Sequence, residues 1–207
     1  MSHAAGGDAD VDGNTQLTTT PAARSIYLPP WRIDLDRRAG VPDLVPARRL
    51  GRAIAAALTA AGAPSPASIG LTLTDDAALA ELNRTHMGVE GPTDVLSFPL
   101  LPPAAFPAHE DGPDRTGEAE VGGARPFVLP PGRRLDLGDI VVSVERAVAQ
   151  SVEGRGGQTG DVRWSPADEL LLLVTHGALH VCGWDHAEPA EETAMRALER
   201  RLLATAG

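Results

Sequence analysis

His176-Gly-Ala-Leu-His180-Val-Cys-Gly-Trp-Asp-His186 holds three of the chain's six histidines, and its reading decides both the fold of the C-terminal third and the chemistry. On a helix, His176 and His180 lie one turn apart on the same face, so both rings can reach one ion. His186 cannot join them if the helix continues, because ten further residues would carry it about 15 Å along the axis. Gly183 resolves this, since glycine takes the left-handed conformation that turns a chain back at a helix end. Three imidazoles then converge with a fourth position open, the ligand count of a catalytic zinc site rather than a closed structural one. The competing reading is that these are ordinary core histidines, and the cost of burying three unpaired imidazoles speaks against it. Cys182, two residues past His180, points off the histidine face and reads as a small core residue.

Working outward, Ser165-Pro-Ala-Asp168 is a helix start, with serine as N-cap, proline at the first helical position and aspartate at the third. That helix is expected to run to about Cys182. A last helix follows over about 190–204, with Glu191 and Glu192 in its first turn and Arg200 and Arg201 near its end, as the helix dipole favours. Its Met195, Leu198 and Leu202 read as core. Toward the N-terminus, 45–61 repeats Leu50, Ile54 and Leu58 at helical spacing with Arg48, Arg49 and Arg52 off that stripe, and Gly62 offers a C-cap. Residues 69–74 alternate as a half-buried strand, and Asp75 or Asp76 caps a helix over 77–86. Residues 94–98 form a strand stopped by Pro99, and 137–144 a β-branched one. A helix starts at Arg146 and runs to Gln150, ahead of a glycine-rich loop. Near Ile26 a short edge strand is expected, interrupted by Pro29 and Pro30.

The chain has 207 residues, with 28 acidic against 18 basic side chains and a net charge of -10. All the basic residues are arginine. Residues 1–24 are too poor in large apolar side chains to offset their ordering entropy and read as a disordered tail. Residues 101–134 are crowded with proline, glycine and acids and read as a disordered insertion. What remains is one domain of ordinary size. The single cysteine excludes an intramolecular disulfide and a cysteine-only zinc cluster. No apolar run approaches the roughly 20 residues of a membrane helix, and the N-terminus has no signal-peptide pattern, so the expected location is cytoplasmic. The acidic balance argues against a nonspecific DNA coater but not against a nucleic-acid enzyme with a local arginine patch.

The spacing H-x3-H-x5-H, with glycine at the eighth position, also matches the metzincin proteases. There a glutamate serving as general base follows the first histidine; here that residue is Gly177. The metal is supported and the peptidase is not. The residues resemble instead the YbeY endoribonucleases, bacterial rRNA maturation factors. Their signature H-G-x-L-H-L-x-G-Y-D-H stands here as HGALHVCGWDH, with Val181 and Trp184 as departures. The PTDVLSFP block is intact at 92–99, and LGDI at 137–140.

The resemblance covers about 26–203 apart from the insertion. It implies an α+β fold: a single zincin-like domain, a small mixed β-sheet packed with helices, and a metal site on a C-terminal helix and the turn after it. It further implies a zinc-dependent endoribonuclease specific for single strands, acting in 16S rRNA 3′ end maturation and late ribosome quality control. His176, His180 and His186 would hold one Zn2+ per chain. The implied partners are single-stranded RNA and the ribosome or its small subunit, with no membrane and no DNA. Many members carry an arginine where this chain has Met87, which leaves Arg84 as a candidate substitute, or leaves more of the chemistry to the metal.

A three-histidine zinc brings the pKa of a bound water toward about 7 and can polarise a phosphoryl oxygen. With glycine at position 177 a base must come from elsewhere. Asp185, beside the third ligand, and Asp139, in the LGD turn, are the candidates, against plainer roles in orienting an imidazole and holding a turn. Ser97 alternates with Leu96 and Phe98 and can face the cleft. Arg48, Arg49 and Arg52 are candidate phosphate ligands, against the plainer reading of a solvated face. Two other function classes remain: a metal-dependent hydrolase of a peptide or ester, and a non-catalytic, zinc-containing ribosome assembly factor.

Overall fold

Trp31, Ile33 and Leu35 are buried while Arg32, Asp34 and Asp36 between them are half-exposed. That alternation is what a strand with one covered face requires. The computed structural model describes residues 23–108, 130, 133–153 and 164–205. Within them, β1 (Arg24–Leu28) and β2 (Trp31–Arg37) form an antiparallel pair. Pro29 and Pro30 therefore separate two strands rather than interrupting one, as expected of residues that cannot donate to a ladder. The amphipathic helix α1 (Ala47–Ala60) leads to β3 (Ala67–Thr74), which runs parallel to β2.

Helix α2 (Asp76–Met87) starts where Asp75 accepts the Ala78 amide at 2.9 Å. Then come β4 (Val95–Pro99), β5 (Leu135–Ser143), α3 (Val144–Glu153), α4 (Pro166–Val181) and α5 (Pro189–Thr205). The sheet order is β1-β2-β3-β5-β4, with β5 parallel to β3 and antiparallel to β4. The protein is thus mixed α/β around one five-stranded mixed sheet. Among the described residues no helix is long and apolar enough to cross a membrane.

The two faces of the sheet are unequal. Ile33, Ile69, Leu71, Leu137, Ile140 and Val142 point into the main core, with α1, α3 and α4 packed on the sheet and α5 packed on α4 and α1. Among the described residues the opposite face carries α2, whose Leu79 meets Leu96 and Val141 in a small second cluster. Helix α4 is the centre of the main core. Leu170, Val174, Ala178 and Leu179 are wholly shielded from solvent, so its position against the sheet is fixed by apolar packing along most of its length.

The expected tail over 1–24 lies almost wholly outside the described residues, although Arg24 already begins β1. The expected insertion over 101–134 also falls mainly outside them. Its first eight residues are placed: a 3-10 turn at Pro103–Ala105 sets Phe106 into the core at 5% exposure. The glycine-rich segment after Glu153 is likewise outside the described residues.

Candidate metal centre

Helix α4 opens with a capping box. The Asp168 amide donates to Ser165 Oγ at 3.2 Å, and the Ser165 amide donates to Asp168 Oδ2 at 3.1 Å. The reciprocal pair satisfies donors that a helix start leaves orphaned. The helix ends in a Schellman motif. The Gly183 amide donates to the His180 carbonyl at 2.9 Å, the Trp184 amide to the Leu179 carbonyl at 3.1 Å, and Gly183 has φ 77°. This left-handed residue turns the chain so that His186, five residues past the end of α4, comes back beside the helix.

The three rings meet there. Centroids of His176 and His180 are 4.4 Å apart, of His180 and His186 5.0 Å, and of His176 and His186 5.5 Å. One ligand atom from each lies within 4.8 Å of the other two. His176 Nε2 and His180 Nε2 are 3.0 Å apart, close to the ~3.3 Å that two nitrogens at 2.0–2.1 Å from one tetrahedral zinc would keep. Burial first, then the neighbouring His176 and His186, push His180 down to about 4, with the Trp184 backbone hydrogen bond and Asp185 opposing more weakly. Its ring is therefore held in the neutral form that a metal needs. The donor set fits a borderline-soft divalent ion.

His176 is oriented from behind. Its Nδ1 lies 2.7 Å from Glu199 Oε1 on α5, and Glu199 is only 5% exposed. A carboxylate at this distance accepts a hydrogen bond from Nδ1–H, which fixes the tautomer that leaves the Nε2 lone pair for an ion. Glu199 was not among the candidates from sequence. The available signal was a charged residue next to Leu198, four residues after Met195, on the buried stripe of α5.

A cleft of about 620 Å³ surrounds the rings, lined by α4, α5, β4 and the residues before it, with Met87 at its edge. Helix α4 lies close against the sheet at Gly177, where an added Cβ would stand 2.6 Å from Ile140 Cγ2 and 3.0 Å from Val95 Cγ2. No glutamate could occupy this position without displacing the helix, which gives a packing reason for the glycine. Ser97 reaches the cleft, as expected of its place in β4, and its hydroxyl donates to the Gly177 carbonyl at 3.0 Å. It fastens β4 to the metal helix.

The remaining candidates are distributed as follows. Asp185 is exposed, and its Oδ1 accepts the His186 amide at 2.7 Å, so it shapes the turn that presents the third ring. Asp139 is not brought to the cleft. A bulge gives β5 one residue more than β3 between the Ser68 and Gly70 pairings, so Leu137 and Ile140 share the core face and Asp139 turns to the other. There its carboxylate lies against Gly70, with Phe98 opposite it in register. Burial, then Asp136, raise its pKa above the ordinary carboxylate value.

Arg84 is not at the cleft either. Its guanidinium forks onto Glu81 at 2.6 and 2.7 Å on the surface of α2, a hydrogen-bonded pair that favours the charged form of each. Arg48 and Arg52 lie exposed on α1, away from the cleft, and Arg49 lines a different cavity. The arginine that does line the cleft is Arg196, paired with Glu192 at 2.5 Å. It was also absent from the sequence candidates. Cys182 is fully buried, and burial pushes its thiol up to about 12, in keeping with a packing role.

The family resemblance can be set against known proteins. The sequence model described as Endoribonuclease YbeY matches residues 44–207. The Endoribonuclease YbeY of Moorella thermoacetica is 40% identical over 158 residues, covering 76% of this chain and 85% of that protein. The one from Salinispora tropica is 42% identical over 149 residues, covering 72% and 80%. A solution structure of a Thermotoga maritima protein aligns with 85% of this chain and 88% of its own, at 20% identity and a TM-score of 0.46. On the family match and the identity to these relatives, the chain belongs to the YbeY endoribonuclease family.

Proposed function

We propose that the chain is a metal-dependent endoribonuclease that cuts single-stranded RNA, with 16S rRNA 3′ ends on the small ribosomal subunit as its target. The observation that carries the reading is the convergence of His176, His180 and His186 in the wall of a cleft of about 620 Å³. Zinc is the ion we assign, from three imidazole nitrogen donors and no thiolate or clustered carboxylates among them. An ion held there would supply a Lewis acid for the scissile phosphoryl group and acidify a water.

The chain's own residues supply the rest. Glu199 fixes His176, Ser97 ties the metal helix to β4, and Asp185 shapes the turn bearing His186. Every carboxylate lining the cleft is engaged. Asp94 accepts from Thr93, the Val95 amide and Gln150, Glu192 pairs with Arg196, and Glu199 holds His176. Among the described residues lining the cleft no carboxylate is without a partner, and an ion held by the three histidines would supply the acidified water. Arg196 is the arginine among the described residues lining the cleft, and a substrate phosphate would compete with Glu192 for it.

The test is cleavage of a labelled single-stranded RNA and of its duplex by the purified chain and by His180→Ala. The reading requires cleavage of the single strand by the unaltered chain and at least a hundredfold loss in the variant, an order typical of lost metal catalysis. Equal cleavage by both, or none by the zinc-loaded chain, would refute it. Release of a peptide or ester product instead would point to the hydrolase class.

A further inference from the structure

A second cavity, of about 350 Å³, lies apart from the metal cleft and is lined by Arg49, Trp164, Asp168, Leu171, Arg200 and Leu203, with Ala204 at its edge. Its walls combine an indole, two leucines and two guanidinium groups. This is the pairing of stacking platform and phosphate-binding cations that single-stranded nucleic-acid sites use. The indole is held in place: Trp164 Nε1 donates to Glu169 Oε2 at 2.6 Å, and Glu169 is wholly buried. Asp168, the carboxylate among the described residues of the wall, caps its own helix: its Oδ2 accepts from the Ser165 amide and hydroxyl at 3.1 and 2.6 Å.

The cavity and the cleft are built on the same two helices. Helices α4 and α5 run antiparallel, with His176 opposite Glu199. The cleft takes α4 from Leu172 onward and α5 up to Glu199, and the second cavity takes Asp168 and Leu171 before them on α4 and Arg200, Leu203 and Ala204 after them on α5. Arg196 lines the first and Arg200 the second. Four residues apart on a helix, they are neighbours on one face, about 6 Å apart along the axis. Arg200, one turn on from Arg196, thus carries the same helix stripe from the lining of the cleft to that of the second cavity.

We propose that this cavity is a nucleotide subsite for the same single-stranded RNA, with a base stacked on Trp164 and phosphates held by Arg200 and Arg49. The inference rests on the ribonuclease reading. It makes the enzyme's affinity depend on strand length, with the outer nucleotides bound away from the metal.

The experiment compares KM for single-stranded RNAs of about four and about twelve nucleotides, lengths that span the site sizes of such grooves. It uses the zinc-loaded chain and its Arg200→Gln, Arg49→Gln and Trp164→Leu variants, with metal content and circular dichroism confirming the fold of each. The proposal requires Arg200→Gln to raise KM for the long strand by roughly tenfold, to leave the short strand unchanged, and to lower the salt slope by about one. Trp164→Phe should keep the affinity that Trp164→Leu loses. If Trp164→Leu does not fold, the two arginine variants decide. Equal KM for both lengths, or a shift of the same size for both in Arg200→Gln, overturns the subsite while leaving the nuclease standing. Absence of cleavage of either strand by the unaltered chain overturns the nuclease reading and the subsite with it.

Discussion

His176 Nδ1 and Glu199 Oε1 are 2.7 Å apart, and this contact joins the metal helix to the last helix of the chain. Glu199 is nearly buried, so its charge is set against the imidazole in a partly desolvated place where such hydrogen bonds are strong. Glu199→Ala is expected to weaken zinc binding by roughly 10–100-fold, the usual cost of losing a carboxylate behind a ligating histidine. Glu199→Gln, which keeps an acceptor without the charge, should lose less. Competition with a chromogenic chelator measures both, and unchanged affinity in Glu199→Ala would show that His176 needs no such support.

Gly177→Ala tests why the metal helix lies so close to the sheet. Alanine favours the helix by about 1 kcal/mol, but its Cβ would press into Ile140 and Val95 at 2.6 and 3.0 Å. Overpacking of a tight core costs about 1–3 kcal/mol, and β-branched partners give little. The net expectation is destabilisation of about 1 kcal/mol together with weaker zinc binding, read by urea melts and metal titration. A more stable variant would mean the contact relaxes freely.

Gly183→Ala addresses the turn that brings in the third ligand. At φ 77° an alanine carries a strain of about 1–2 kcal/mol. Its relief would move His186 while leaving His176 and His180 on their helix. The outcome expected is a modest fall in melting temperature but a larger fall in metal affinity, with two histidines still competent to bind weakly. Loss of stability with affinity intact would contradict this account of the turn.

Asp139 gives a pH dependence of definite sign. Its folded-state pKa lies above the ordinary carboxylate value, so ionising it costs more in the folded chain than in the unfolded one. The penalty is absent below the ordinary value, near pH 4, and grows as pH rises through the raised one. Asp139→Asn should therefore be slightly more stable than the unaltered chain at pH 7, and the difference should vanish near pH 4. The residue is exposed, so screening limits the gain to a few tenths of a kcal/mol. Urea melts at the two pH values read it. A loss of stability at pH 7 would assign Asp139 a favourable contact, and a loss of cleavage with stability intact would return it to the catalytic candidates.

The local features of the metal centre were legible in the sequence because they are written in short-range chemistry. Ser165 and Asp168 form the expected capping box, and Gly183 takes the left-handed conformation that the turn back to His186 demands. The rings then converge as their spacing implied. What escaped was set by tertiary structure. Strict alternation along β5 would have placed Asp139 on the face of Leu137, and the bulge at Gly138 reverses it. Glu199 and Arg196 acquire their places only when α5 packs antiparallel on α4, and nothing in their own helix tells which partner they will meet. Arg84 was a reasonable candidate by position, but a partner one turn away at Glu81 takes it up.

The central claim, that three histidines hold one ion on which RNA cleavage depends, is tested most directly by titrating zinc into the chelator-stripped chain while cleavage of a single-stranded RNA is followed. The account predicts activity that rises in step with bound metal, saturates at about one ion per chain, and does not return in His180→Ala at the same zinc concentrations. Cleavage that is indifferent to chelation, or that persists in His180→Ala, would contradict it.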